Sequence, residues 1–263
     1  MRDFFENTIL NSHATIVEIP RGFGFEFALK KLKFLKDIQI IEFRPTIHGA
    51  QKTEIINVED IEFLQQKANV KSVKKRCFVL MNAEKMNESA QNKFLKLFEE
   101  PNKNTSFVLL TENKNAFEKT ILSRAQILRI PPISEIDSIK MLQKSKLSED
   151  DKKKILFIAN GLPGEIDKLS NSKKYFNKQM EIAEFAKRWF LGSKFEKILI
   201  AKDLKPERNN ILKFLEILLK MVDQTFAQNP KKGATTVKKI LRTYDRISKN
   251  GNIKLALLDL ILG

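Results

Sequence analysis

Cysteine is almost missing from this chain: Cys77 is the one thiol in 263 residues. A single thiol excludes an internal disulfide framework and any zinc site built on cysteines. Its setting, CFVLM, reads as a small buried core residue. No apolar run approaches the roughly 18 residues that suggest a membrane span, so no membrane partner is expected. The opening MRDFFENTIL lacks a basic stretch followed by an apolar one and is not read as a signal peptide. Repeats and low-complexity tracts are missing too. These absences point to a cytoplasmic protein. Acidic residues are scarce: 32 Asp and Glu face 48 Lys and Arg, a formal net charge of +16. The imbalance favours an acidic partner, nucleic acid first. Lysines spread along the whole chain would give the same total without one. His13 and His48 stand apart from any metal-ligand partner and read as structural.

What is present is a strong alternation of strand and helix signals over the first 130 or so residues. Short apolar runs at Thr15–Ile19, Ile38–Phe43, Glu54–Val58, Cys77–Met81, Phe107–Leu110 and Gln126–Ile130 read as strands. Several are apolar on both faces, as a parallel sheet covered by helices requires. Between them, Met86, Ala90, Phe94, Leu97 and Phe98 share one helical face, and Pro101 ends that helix before an NKNT turn. The pattern predicts an α/β domain with a parallel sheet over residues 1–132. At Pro131-Pro132 strand signals nearly vanish. Residues 133–176 read as a small helical domain, with Ser134 and Ser148 as caps and Pro163 in a first helical turn. Residues 177–263 read as an all-helical bundle, with breaks at Gly192, Pro206, Asn229-Pro230 and Gly251.

The stretch EIPRGFGFEF, residues 18 to 27, follows a strand and precedes a helix, where a phosphate-binding loop would sit. Such a loop reads Gly-x-x-x-x-Gly-Lys-Ser/Thr. Gly22 and Gly24 are kept. Phe25 replaces the lysine, Glu26 the Ser/Thr, and Ile19 the first glycine. About 55 residues on, FVLMNAEKMN occupies the place of a metal-handling strand, which in an ATPase ends in Asp-Glu. Met81 and Asn82 stand there instead. The helix–turn–strand QNKFLKLFEEPNKNTSFVLLTEN follows, then FEKTILSRAQILRI with Ser123-Arg124.

Taken in that order, these landmarks resemble the clamp-loader branch of the AAA+ proteins, as found in bacterial DNA polymerase III. The resemblance runs along nearly the whole chain, down to the Asn252-x-x-Leu255-x-Leu257 pattern in its last helix. It implies an AAA+-like domain, a small helical domain and an oligomerising helical collar. It implies a subunit that has kept the fold and lost hydrolysis, with no cofactor of its own and with ATP and Mg²⁺ on a neighbouring subunit. Gly164, in NGLPGEIDKL, stands where hydrolysing relatives place a sensor arginine, and Thr111 where they place a sensor on the sheet. Arg124 then corresponds to an arginine finger offered to the neighbour's ATP, with Ser123 orienting its loop. Ala125 departs from the family's Ser-Arg-Cys and is read as packing. Implied partners are gamma/tau-like and delta subunits, a sliding clamp, and primed DNA through the complex. The family's four-cysteine zinc module is missing, so no metal is expected. Glu99 and Glu100 read as solvated or interdomain-paired carboxylates. The basic run KSVKKR, with Lys71, Lys74, Lys75 and Arg76, reads as a solvated loop or a phosphate contact. Two rivals remain: a stand-alone basic DNA-binding protein, and a degenerate AAA+ scaffold outside replication.

Overall fold

Alternation along the strands decides the architecture. In β3 (Lys75–Leu80) and β4 (Thr105–Thr111) successive side chains are buried on opposite faces, so neither strand has a solvent side. Such strands need cover above and below. The computed structural model, which describes residues 9, 11–33, 38–48, 53–99, 104–203, 207–227 and 230–262, provides it. β1 (Ala14–Glu18), β2 (Ile38–Phe43), β3, β4 and β5 (Gln126–Arg129) form one parallel sheet in the order β2-β3-β4-β1-β5. The chain separates into two compact units, Met1–Asp167 and Lys168–Gly263.

One face of the sheet carries Ala14, Ile16, Phe78, Leu80, Phe107 and Leu109. Helices α2 (Val58–Asn69), α3 (Glu88–Glu99) and the short α4 (Lys119–Leu122) cover it. Of the residues expected on one helical face, Ala90, Phe94, Leu97 and Phe98 are buried on α3, and Met86, buried too, precedes it. Phe94 stands edge-on to Phe107 at 5.4 Å and to Phe98 at 4.9 Å, an arrangement that favours the ring quadrupoles. The opposite face carries Val17, Cys77, Val79, Val108 and Leu110 and is covered by α1 (Phe25–Leu32) through Ala28, Leu29 and Leu32.

The expected strand at Glu54–Val58 is not one. Ile55 and Ile56 make only isolated bridges, to Thr46 and Met86. Asn57 caps α2 instead: its side chain accepts from Asp60 N–H, and Asp60 accepts from Asn57 N–H at 2.9 Å. A reciprocal cap at Asn57 starts a helix at Val58, leaving too few residues for a strand. Pro101 and Glu100 lie outside the described residues.

After β5 come α5 (Glu135–Leu142), α6 (Glu149–Ala159) and α7 (Pro163–Asn171). Ser134 accepts from Asp137 N–H and Ser148 from Asp151 N–H, so both predicted caps are in place. Asn160 (φ 49°) and Gly161 (φ 75°) end α6 in the left-handed region. The second unit is helical: α8 (Lys173–Leu191), α9 (Lys194–Asp203), α10 (Arg208–Thr225), α11 (Pro230–Ser248) and α12 (Ile253–Leu262). Its core centres on α10, where Phe214 meets Trp189 edge-on at 5.3 Å. The breaks at Gly192, Pro230 and Gly251 coincide with element ends; Pro206 and Asn229 lie outside the described residues. The class is therefore α/β with a parallel sheet, followed by a helical C-terminal region. No described helix is long and apolar enough to cross a membrane.

Candidate functional site

The loop after β1 has the backbone its glycines predict. Gly22 (φ 84°) and Gly24 (φ 87°) are both left-handed, a region that costs L-residues with a Cβ energy. Phe23 turns inward and is fully buried. The carbonyls of this loop, however, are occupied. Gly164 N–H donates to Phe23 O and Glu165 N–H donates to Gly22 O, each at 2.8 Å. Both donors lie in the first turn of α7, and Glu165 N–H is shared with Leu162 O at 3.1 Å. The approach is close enough that a Cβ on Gly164 would lie 2.9 Å from Gly22 O and 3.0 Å from Phe23 O. Glu165 is buried beside the same loop. Sequence reasoning places Gly164 at a missing sensor arginine and does not foresee this contact. The signal is the pairing of GFG with a second glycine-containing turn, LPG.

Glu26, in the Ser/Thr place, is held by a charge cluster. Its carboxylate accepts from Arg44 at 2.6 Å, and Arg44 also reaches Glu42 at 2.9 Å. Lys33 lies 2.5 Å from Glu42. The Arg44 hydrogen bond holds the Glu26 carboxyl below the usual carboxylate range, and Lys33, then Arg44, do the same for Glu42. Phe25 is half-buried and packs against the apolar cluster beneath α1. Met81 is 1% exposed and belongs to that same cluster. Asn82 turns the chain in the left-handed region (φ 49°). Neither a buried thioether nor a turn-forming amide supplies the carboxylate pair that holds magnesium and orients water in an ATPase. Thr111 is fully buried, and its hydroxyl accepts from Asn113 N–H at 3.0 Å.

Arg124 and Ser123 are at the other end of the sheet. Strands β1 and β5 run parallel with Thr15 level with Gln126, so Arg124 precedes the entry end of β5 while the glycine loop leaves the exit end of β1. At roughly 3.3 Å per residue the two levels are about 20 Å apart along the strands. Both side chains are exposed. Ser123 Oγ donates to Thr120 O at 3.0 Å, and Arg124 Nη1 donates to the same carbonyl at 3.1 Å. Ala125 is partly buried against the core.

The basic run divides. Arg76 is buried, its guanidinium donating to the carbonyls of Lys67, Ala68 and Val70 and standing over the Phe78 ring. It caps the end of α2 and is not available to a phosphate. Lys71, Lys74 and Lys75 are exposed. His48 bonds Asp60 at 2.8 Å, beside the α2 cap, and His13 stands edge-on to Phe98. Among the described residues no group of three His, Cys, Asp or Glu side chains is placed to hold a metal ion.

Comparison with known proteins locates a likeness within this frame. Residues 30–134 match the family model described as DNA polymerase III, delta subunit. A 92-residue stretch is 34% identical to the DNA polymerase III subunit delta′ of Bacillus subtilis (strain 168), covering 34% of this chain and 28% of that relative. The match thus spans little more than a quarter of the curated relative's length. Among solved structures, a DNA polymerase III gamma subunit-related protein of Thermotoga maritima aligns over 99% of this chain and 97% of its own, at 17% identity and TM-score 0.47. A Walker-type ATPase of Pyrococcus abyssi aligns over 84% and 88%, at 12% identity and TM-score 0.46. Residues 30–134, which carry Met81, Asn82, Ser123 and Arg124, thus resemble the DNA polymerase III, delta subunit family, and a 92-residue stretch of the chain resembles a bacterial delta′ subunit.

Proposed function

We propose that this chain is a non-hydrolysing subunit of a DNA polymerase III-type clamp loader that lends Arg124 to ATP bound on a neighbouring subunit. One observation carries the reading: the exposed Arg124 lies at the entry end of the sheet, about 20 Å from its own loop, so it can serve only a phosphate held elsewhere. The loop itself supports this. Phe25 and Glu26 offer no cation to the phosphates, and Met81 and Asn82 offer no carboxylate to magnesium. A guanidinium suits the role because its fork stays charged and donates to two oxygens at once.

The helical unit supports a partner-bound protein. Phe195, Ile198 and Leu199 on α9 are exposed, as are Leu255, Leu258 and Leu262 on α12, and these two helices pack on each other. Phe195 is 70% exposed. Exposed apolar side chains on two packed helices fit an interaction site. In this reading the helical unit enters a collar with gamma/tau-like and delta partners. The assembly uses ATP to open a sliding clamp and place it on primed DNA in the cytoplasm.

The test is Arg124→Ala in a reconstituted complex. A finger is worth roughly 10³–10⁵ in rate at the site it serves. DNA-stimulated ATPase should therefore lose that site's share of turnover, while gel filtration shows unchanged assembly. Unaltered turnover removes the assignment. Gel filtration of the chain with and without partners also separates this reading from a stand-alone DNA-binding protein, which would remain monomeric in both runs.

A further inference from the structure

The chain between Gln224 and Tyr244 contains no acidic residue and five basic ones, Lys231, Lys232, Lys238, Lys239 and Arg242. Most of this stretch is α11, whose buried seam is Gly233, Ile240, Thr243 and Ile247. At 100° per residue, Lys231, Lys238 and Arg242 fall on the face opposite that seam, and all three are exposed. Among the described residues none of the three has an ion-pair partner. The nearby acids are engaged: Asp245 with Lys249, Asp259 with Arg246, and Glu216 with the Tyr244 hydroxyl and Lys213. Asp223, near the end of α10, is exposed.

Three lysines on other helices meet acids one turn away: Lys140 meets Asp137, Lys152 meets Glu149, and Lys154 meets Asp150. On α11 no such pair forms among the described residues before Asp245. The arrangement also works against the helix. Lys231 sits in the first turn, where the macrodipole disfavours cations, and Lys238 and Arg242 are like charges at i,i+4. A face that contributes nothing to packing and is mildly unfavourable by itself is accounted for by a polyanion that meets it.

We propose that this face of α11 binds the phosphodiester backbone of nucleic acid without reading sequence. From Lys231 to Arg242 the stripe runs about 16 Å, close to the axial length of five base pairs. It presents cations and no aromatic ring, so it meets phosphates rather than bases. The proposal needs only the isolated chain and stands apart from the role of Arg124.

The test is fluorescence anisotropy of the full chain with a labelled 20-base-pair duplex and a labelled 20-nucleotide single strand, across 50–200 mM salt. The variant is Lys231→Gln/Lys238→Gln/Arg242→Gln. A control, Lys140→Gln/Lys152→Gln/Lys154→Gln, removes the same net charge from paired positions. The α11 variant should bind weakly, with a salt slope on duplex shallower by about 0.9 for each phosphate it no longer neutralises. The control should keep the wild-type slope. Equal weakening in both variants reduces the effect to net charge and overturns the proposal. So does an α11 variant with wild-type slope, or a wild-type chain that binds polyglutamate but neither nucleic acid. Far-UV circular dichroism confirms that both variants are folded.

Discussion

At the residue scale, the close approach of Gly164 to the loop after β1 has a clear consequence. An exposed helical glycine usually gains up to about 1 kcal/mol on replacement by alanine. Gly164 should show the opposite sign, because its Cβ would meet two backbone oxygens at 2.9 and 3.0 Å. Denaturant unfolding of Gly164→Ala should show a loss of about 1–3 kcal/mol, the usual range for crowding a packed site. A gain in stability would mean that α7 does not sit on the loop. The Glu26–Arg44–Glu42 cluster sets a pH dependence. Both carboxyls titrate below their ordinary value near 4.5 in the folded chain. Their stabilisation is present above that value and is lost as pH falls through the lowered folded values. Arg44→Ala should therefore flatten the fall of Tm below about pH 5, by no more than about 1 kcal/mol for so exposed a cluster. Parallel Tm curves for the two proteins would show that the pairs do not form in solution.

At the element scale, helix α3 packs on the sheet through Ala90, Phe94, Leu97 and Phe98, with Phe94 its most buried ring. Phe94 is fully buried and touches both Phe98 and Phe107. Phe94→Ala should cost about 3–5 kcal/mol, measured as a lower denaturant midpoint with an unchanged m-value. The caps of α5 and α6 are readable as short sequence patterns because each is closed within four residues. The strand expected at Glu54–Val58 shows the limit of that method. An apolar pair beside Asn57 fits both a strand and a helix entry, and the reciprocal bond to Asp60 decides between them. Arg76 escapes a sequence reading for a related reason: its basic neighbours are solvated, while its own position in β3 faces inward beneath the end of α2.

At the scale of the whole molecule, the exposed apolar residues of α9 and α12 matter most. A subunit destined for a collar can carry them; a free monomer exposes them at the risk of aggregation. Phe195→Ser with Leu258→Ser should leave the circular dichroism of the isolated chain intact. It should also abolish co-elution with gamma/tau-like and delta partners. Full co-elution of that variant would place the collar interface elsewhere.

Local sequence was enough to determine the five strands of the sheet and the two serine caps. Each depends on residue type within a few positions or on a periodicity of two or 3.6. The strand order, the seating of the α7 amides on the loop carbonyls, the burial of Arg76, and the separation of Arg124 from its own loop depended on the tertiary structure. These join residues far apart in the chain. Parallel pairing and close backbone approach are set by which surfaces meet after the strands align, and no short window of sequence contains both partners.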